Sequence, residues 1–183
     1  MSLDRFWQFI EARSKGCGGC GGCGGWGGAA VMAEWRDRCG PALSAIEPML
    51  EPTAYYATAH PALKPGRPPL RVVRHRDGRV VGVCDEGRSE RADLALADIV
   101  LHAVNAAELR RRLCVALAIK TAHEPAGSLP GSMRLGHWEP RPSLQITVVL
   151  IAAPDEAAML TVVHAVLAGA KKPPIVLTPG RSH

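Results

Sequence analysis

The sequence predicts an α+β fold with a small mixed sheet that contains a central β-hairpin (70–84) and a C-terminal βαβ unit (144–178), and with helices packed on the sheet. Residues 146–152 form an almost unbroken β-branched and apolar run, typical of a strand covered on both faces. Apolar residues then recur at helical spacing over 156–170, and a short apolar run follows at 174–177. A strand, a helix and a strand of these lengths predict two parallel strands joined by a right-handed crossover.

The helix of the βαβ unit is expected to begin directly after its first strand. Pro154 fits the first helical turn, and the two acids that follow it interact favourably with the helix dipole. The unit requires the strands that contain Val148 and Val176 to lie side by side and run in the same direction. Met159 and Val163 of the helix should then lie across both strands.

The central hairpin carries the clearest local signal in the chain. Two β-rich runs flank an Asp-Gly dipeptide at 77–78, which favours a two-residue type I′ turn. With this dipeptide as the loop, Arg76 faces Arg79 and Val73 faces Gly82 across the two strands. The like-charged pair at the turn is mildly unfavourable unless solvent or a partner anion screens it.

Composition divides the chain into an N-terminal helix (1–15), a Gly/Cys-rich flexible tether (16–28), a helical segment (29–60) and an α+β core domain (70–183). Glycine loses too much backbone entropy to hold the tether in regular structure. The first helix has one apolar face, which is expected to dock on the core; the alternative is a partner-binding helix. Prolines predict a surface loop over 53–69.

The core domain contains further predicted elements. Strands are expected at 99–104 and 133–138, with a helix between them that runs to about Ile119. Asn105 is a good N-cap for this helix, and Glu108 lies at the third position of a capping-box pattern.

Composition and charge narrow the class of protein. The 183 residues fit one domain, and the net charge of +5 permits contact with phosphates or with an acidic surface. No apolar run reaches the roughly 18 residues that span a bilayer, and the N-terminus lacks the pattern of a secretory signal. We therefore expect a cytoplasmic protein without a membrane partner, whose six cysteines are thiols or metal ligands rather than disulfides.

A basic cluster is the first candidate site. Six cationic side chains and a single acid, Asp77, lie within residues 64–79. A basic β-ribbon can track phosphates, and arginines of the helix after residue 105 can add to its field. The alternative is a solvated strand edge that resists aggregation, and the cluster lacks aromatic neighbours for stacking on single strands. The predicted polyanion-binding residues are Arg71, Arg74, Arg76, Arg79, Arg110 and Arg111.

A cysteine cluster is the second candidate site. Cys17, Cys20 and Cys23 have the spacing of the first three ligands in a bacterial ferredoxin run, but glycine stands where the fourth is required. Cys39 is the next thiol, so a zinc or iron–sulfur site would use these four residues. The favoured alternative is a low-complexity tract with incidental thiols and no cofactor.

Catalytic motifs are absent from the sequence. It contains no P-loop, no G-x-S-x-G elbow and no H-E-x-x-H pattern, and no catalytic residue is predicted. The sequence therefore favours a non-enzymatic binding or accessory protein whose basic hairpin contacts nucleic acid or an acidic protein surface. The alternatives are a thiol or metal-binding protein and a structural subunit of a larger assembly. The sequence leaves the oligomeric state open.

Overall fold

The computed structural model describes residues 4–14, 28–62, 64, 66–85, 91–121, 129, 131–153 and 155–179. In this part of the chain, helices and strands form an α+β fold, as predicted. The helices are α1 (Asp4–Ser14), α2 (Met32–Cys39), α3 (Leu43–Ile46), α4 (Ala106–Ala116) and α5 (Glu156–Gly169). The strands are β1 (Ala30–Val31), β2 (Leu50–Tyr56), β3 (Ala59–His60), β4 (Leu70–Arg74), β5 (Val80–Val83), β6 (Arg91–Leu94), β7 (Val100–Val104), β8 (Lys120–Thr121), β9 (Ser132–Arg141), β10 (Leu144–Ile151) and β11 (Ile175–Leu177).

The chain divides into two compact units. Unit 1 contains the described residues of Met1–Gly28 and Val104–His183, and unit 2 is Ala29–Ala103. The hairpin therefore belongs to unit 2 and the βαβ segment to unit 1. The predicted tether (16–28) lies outside the described residues except for Gly28.

The C-terminal βαβ unit is confirmed. β10 and β11 pair in parallel, with Val148 beside Ile175 and Val149 beside Val176. Helix α5 lies across them, since Met159 and Val163 pack against the buried cluster that contains Val149. Burial is continuous over 148–153, because this stretch is covered on both faces, as its apolar sequence predicts.

The hairpin and the parallel pair do not share one sheet, so the predicted single mixed sheet is wrong. The strand orders are β11-β10-β9-β8, β3-β4-β5-β6 and β1-β7-β2. The two sides of β10 are taken by β11 and by β9, its antiparallel neighbour in sequence. Those of β4 are taken by β3 and β5. Both edges of β4 and both edges of β10 are therefore already paired, so these two strands are not neighbours.

The hairpin exists, but its predicted two-residue turn is wrong. The His75 amide donates to the Arg79 carbonyl at 2.8 Å, which leaves a three-residue loop over 76–78. Gly78 adopts a φ of 87°, the left-handed conformation that ends such loops. The register therefore shifts by one residue, and Gly82 pairs with Val72 rather than Val73.

Within residues 29–60, helical structure is confined to the stretch from Met32 to Met49. Leu50–Tyr56 is a strand, and Ala59–His60 forms a second one, where helix and then loop were expected. The Trp35 indole N–H donates to the His102 carbonyl at 3.0 Å and so ties α2 to β7. The strand predicted at 99–104 is confirmed in β7.

Helix α4 begins as predicted and ends earlier. The Asn105 side chain accepts the Glu108 amide at 2.9 Å, which confirms the N-cap. The helix ends at Ala116 rather than near Ile119, because Ala118 turns into the left-handed region at φ 52°. Among the described residues, no helix is long and apolar enough to cross a membrane.

Candidate polyanion-binding surface

The basic hairpin, defined as residues 70–83, projects its arginines into solvent. Arg71 and Arg74 of β4 are exposed, and so are Arg76 and Arg79 at the turn. Four of the six predicted binding residues are therefore on one hairpin. Lys64 and Arg67, on the segment that leads into β4, are exposed as well.

Two of these arginines already face carboxylates. Arg71 Nε lies 3.0 Å from both carboxylate oxygens of Asp85, and Arg79 Nε lies 2.7 Å from Asp77 Oδ2. The hydrogen bond from the Arg79 side chain holds the pKa of Asp77 below its usual value. Exposed ion pairs of this kind are weak because water and salt screen them, so they hold these two arginines only loosely.

Arg74 is held by an aromatic ring rather than by an acid. Its guanidinium carbon lies 4.4 Å from the centroid of the Tyr56 ring, within the range of a cation–π contact. The backbone beside the pair is fixed, because the Val72 amide donates to the Thr58 carbonyl at 2.8 Å. The hairpin thus has an aromatic neighbour that the sequence did not reveal.

Tyr56 was missed because it lies 18 positions before Arg74 and in a different sheet. The signal that could have found it is composition. The chain has two tyrosines, and they stand together as Tyr55 and Tyr56 at the exposed end of β2. In the structure Tyr55 is 65% exposed and Tyr56 is 39% exposed, so both rings are accessible to a ligand.

Arg76 is the cation at the tip of the hairpin. It is exposed and makes no ion pair within the residues that the structure describes. Arg74 and Arg76 are therefore the two hairpin cations that no carboxylate in this part of the chain neutralises.

Arg110 and Arg111 belong to unit 1 and are engaged there. Arg110 Nε donates to the Leu135 carbonyl at 3.1 Å. The Nε atoms of Arg111 and Arg112 each donate to a carboxylate oxygen of Glu108 at 2.7 Å. These hydrogen bonds, with the one from Arg111 the stronger influence, lower the pKa of Glu108 to about 2. These contacts give the two predicted residues a structural role within α4 and its neighbours.

The cysteine site is represented in the structure by Cys39 alone. Cys17, Cys20 and Cys23 lie outside the described residues. Cys39 is buried in the last turn of α2, and this burial raises the pKa of its thiol and favours the protonated form. The described residues contain no group of three or more His, Cys, Asp or Glu side chains arranged to hold a metal ion.

The chain matches no protein-family model, no curated protein and no solved structure. The candidate site in this chain is the surface that contains Arg74, Arg76 and Tyr56.

Proposed function

We propose that this chain is a non-enzymatic protein that binds single-stranded nucleic acid through its basic hairpin and Tyr56. The observation that carries the proposal is the Arg74 guanidinium, 4.4 Å from the centroid of an exposed tyrosine ring. Proteins that bind single strands combine cations that track phosphates with flat groups on which bases stack. Arg76, two residues after Arg74, supplies a second exposed cation.

The flat groups favour a single strand over other polyanions. A duplex hides its base faces, and an acidic protein surface has none, so stacking surfaces add affinity only for unpaired bases. Tyr56 and the guanidinium that covers it are both planar, and arginine retains its charge while it stacks. The same cations would hold an acidic protein surface through charge alone, which is the second partner class. We place this binding in the cytoplasm on the sequence argument alone.

Charge removal tests the electrostatic part. The variant R74A/R76A should bind a labelled single-stranded oligonucleotide more weakly at low salt. The plot of the logarithm of the association constant against the logarithm of the salt concentration has a negative slope. The size of that slope should decrease by about 1.4, because each phosphate contact on a single strand contributes roughly 0.7. Fluorescence anisotropy over a salt series measures both quantities. The matched control is R36A/R38A, which removes two exposed charges from α2 of the same unit. Equal losses of affinity in both variants would show that the hairpin arginines contribute no more than other exposed charges do.

Ring removal tests the stacking part. The variant Y56A should weaken binding by roughly 5- to 150-fold, the range for one base stacked on an aromatic ring, and leave the salt slope unchanged. The matched control is Y55A, because neighbouring side chains of a strand point to opposite faces. A Y56A protein that binds the oligonucleotide as tightly as the parent would remove stacking on Tyr56 from the proposal and leave charge alone as the basis of binding.

A further inference from the structure

Helix α5 packs only one of its faces. Its packed residues lie against the cluster of Val149, Ile151 and Ala153. None of the residues of α5 is buried. The residues that make these contacts are Ala158, Met159, Val162, Val163 and Val166.

The outer face of α5, defined as residues 157, 160, 161, 164, 167 and 168, is exposed and carries no Asp, Glu, Lys or Arg. Leu160 is 48% exposed and Leu167 is 47% exposed. The Thr161 hydroxyl donates to the Ala157 carbonyl at 2.9 Å, so its methyl group remains for contact. His164 is the one titratable side chain on this face. Two half-exposed leucines on one uncharged helix face offer apolar surface to a partner.

Within residues 155–172, the charged side chains stand only at the two ends of the helix. Asp155 and Glu156 begin the helix, Lys171 and Lys172 follow it, and residues 157–170 contain no Asp, Glu, Lys or Arg. The helix has 14 residues and is therefore about 21 Å long. Its outer face thus has a negative end, an apolar middle and a positive end.

We propose that the outer face of α5 binds the same face of a second copy of this chain, with the two helices antiparallel about a two-fold axis. A two-fold contact must be self-complementary, because each pairing occurs twice. The antiparallel arrangement meets this condition, since it brings Leu160 near Leu167 of the other copy. It also sets Glu156 beside Lys171 at both ends. A parallel arrangement would set like charges together, which is unfavourable.

A contact between single helices is small, so the expected dimer is weak and concentration-dependent. Sedimentation velocity over a concentration series into the high micromolar range should show monomer converting to dimer. The variant L160D should raise the dissociation constant at least tenfold, because it places an unpaired charge in the contact. The matched control is L96D, since Leu96 is 46% exposed and lies in unit 2. Far-UV circular dichroism checks that both variants fold.

Charge exchange tests the antiparallel geometry. The variant E156K and the variant K171E/K172E should each dimerise several-fold more weakly than the parent, because like charges then meet at the helix ends. An equimolar mixture of the two should associate more tightly than either alone. In the mixed dimer Glu156 faces Lys171 at one end, and the lysine introduced at position 156 faces the glutamate introduced at position 171 at the other, so opposite charges meet at both ends. A parent that stays monomeric throughout, an equal loss in L96D, or a mixture no tighter than its components would each overturn the proposal.

Discussion

Gly82 is the position where a single added methyl group should destabilise the hairpin sheet. It lies in β5 between Leu70 of β4 and Leu94 of β6. A Cβ at this position would lie 2.9 Å from Leu70 Cδ1 and 3.1 Å from Leu70 Cβ. The Cδ1 can rotate away, but the Cβ is tied to the backbone of a residue that is only 2% exposed. G82A should therefore force a small separation of two paired strands.

The magnitude follows from two opposing effects. Overpacking of this kind costs about 1–3 kcal/mol, and the loss of glycine's unfolded-state entropy returns about 0.5–1 kcal/mol. G82A should therefore lower the free energy of unfolding by about 1 kcal/mol. With a slope near 2 kcal/mol per molar urea, the midpoint should fall by roughly 0.5 M. Urea unfolding followed by circular dichroism measures this shift.

A double-mutant cycle separates the clash from a general effect of the substitution. L70A alone should cost about 2–5 kcal/mol because it leaves a cavity. L70A/G82A should cost less than the sum of the single variants by at least about 0.5 kcal/mol, since the new methyl enters space that Leu70 has left. The matched control is G169A, whose new Cβ meets nothing within 4 Å and should stabilise the helix end. Additive costs, or a G82A protein more stable than the parent, would refute the packing argument.

Two further predictions concern α4 and the turn that follows it. A118G should raise the free energy of unfolding by about 0.5–1 kcal/mol, because Ala118 is held at φ 52°, where glycine carries no steric penalty; thermal unfolding measures the gain. Glu108 has a lowered pKa of about 2, so its pairs with Arg111 and Arg112 contribute stability above pH 4.5 and lose it as the pH falls towards 2. The stability difference between the parent and E108Q should therefore shrink over that window, and a constant difference would contradict the pairing.

The elements that the sequence predicted well depend on neighbours close in the chain. The parallel pair β10–β11 and the Asn105 cap arise from apolar runs and capping residues that act within about 30 residues. The one-residue register error in the hairpin came from Gly78, because an Asp-Gly pair fits both a two-residue turn and the end of a three-residue loop. The choice between the two depends on strand packing, which the dipeptide does not encode.

The basic site shows the same division between local and distant information. The six candidate arginines were chosen by the density of positive charge in the sequence. The ion pair between Arg111 and Glu108 could also have been predicted from the sequence, since the two are three positions apart on a helix. The pairing of Arg71 with Asp85 requires the strand register, which places residue 71 opposite residue 83. The contact between Arg74 and Tyr56 requires the fold itself, because it joins strands of two sheets. The residues that best distinguish a nucleic-acid surface from a solvated edge are thus those that only the three-dimensional structure brings together.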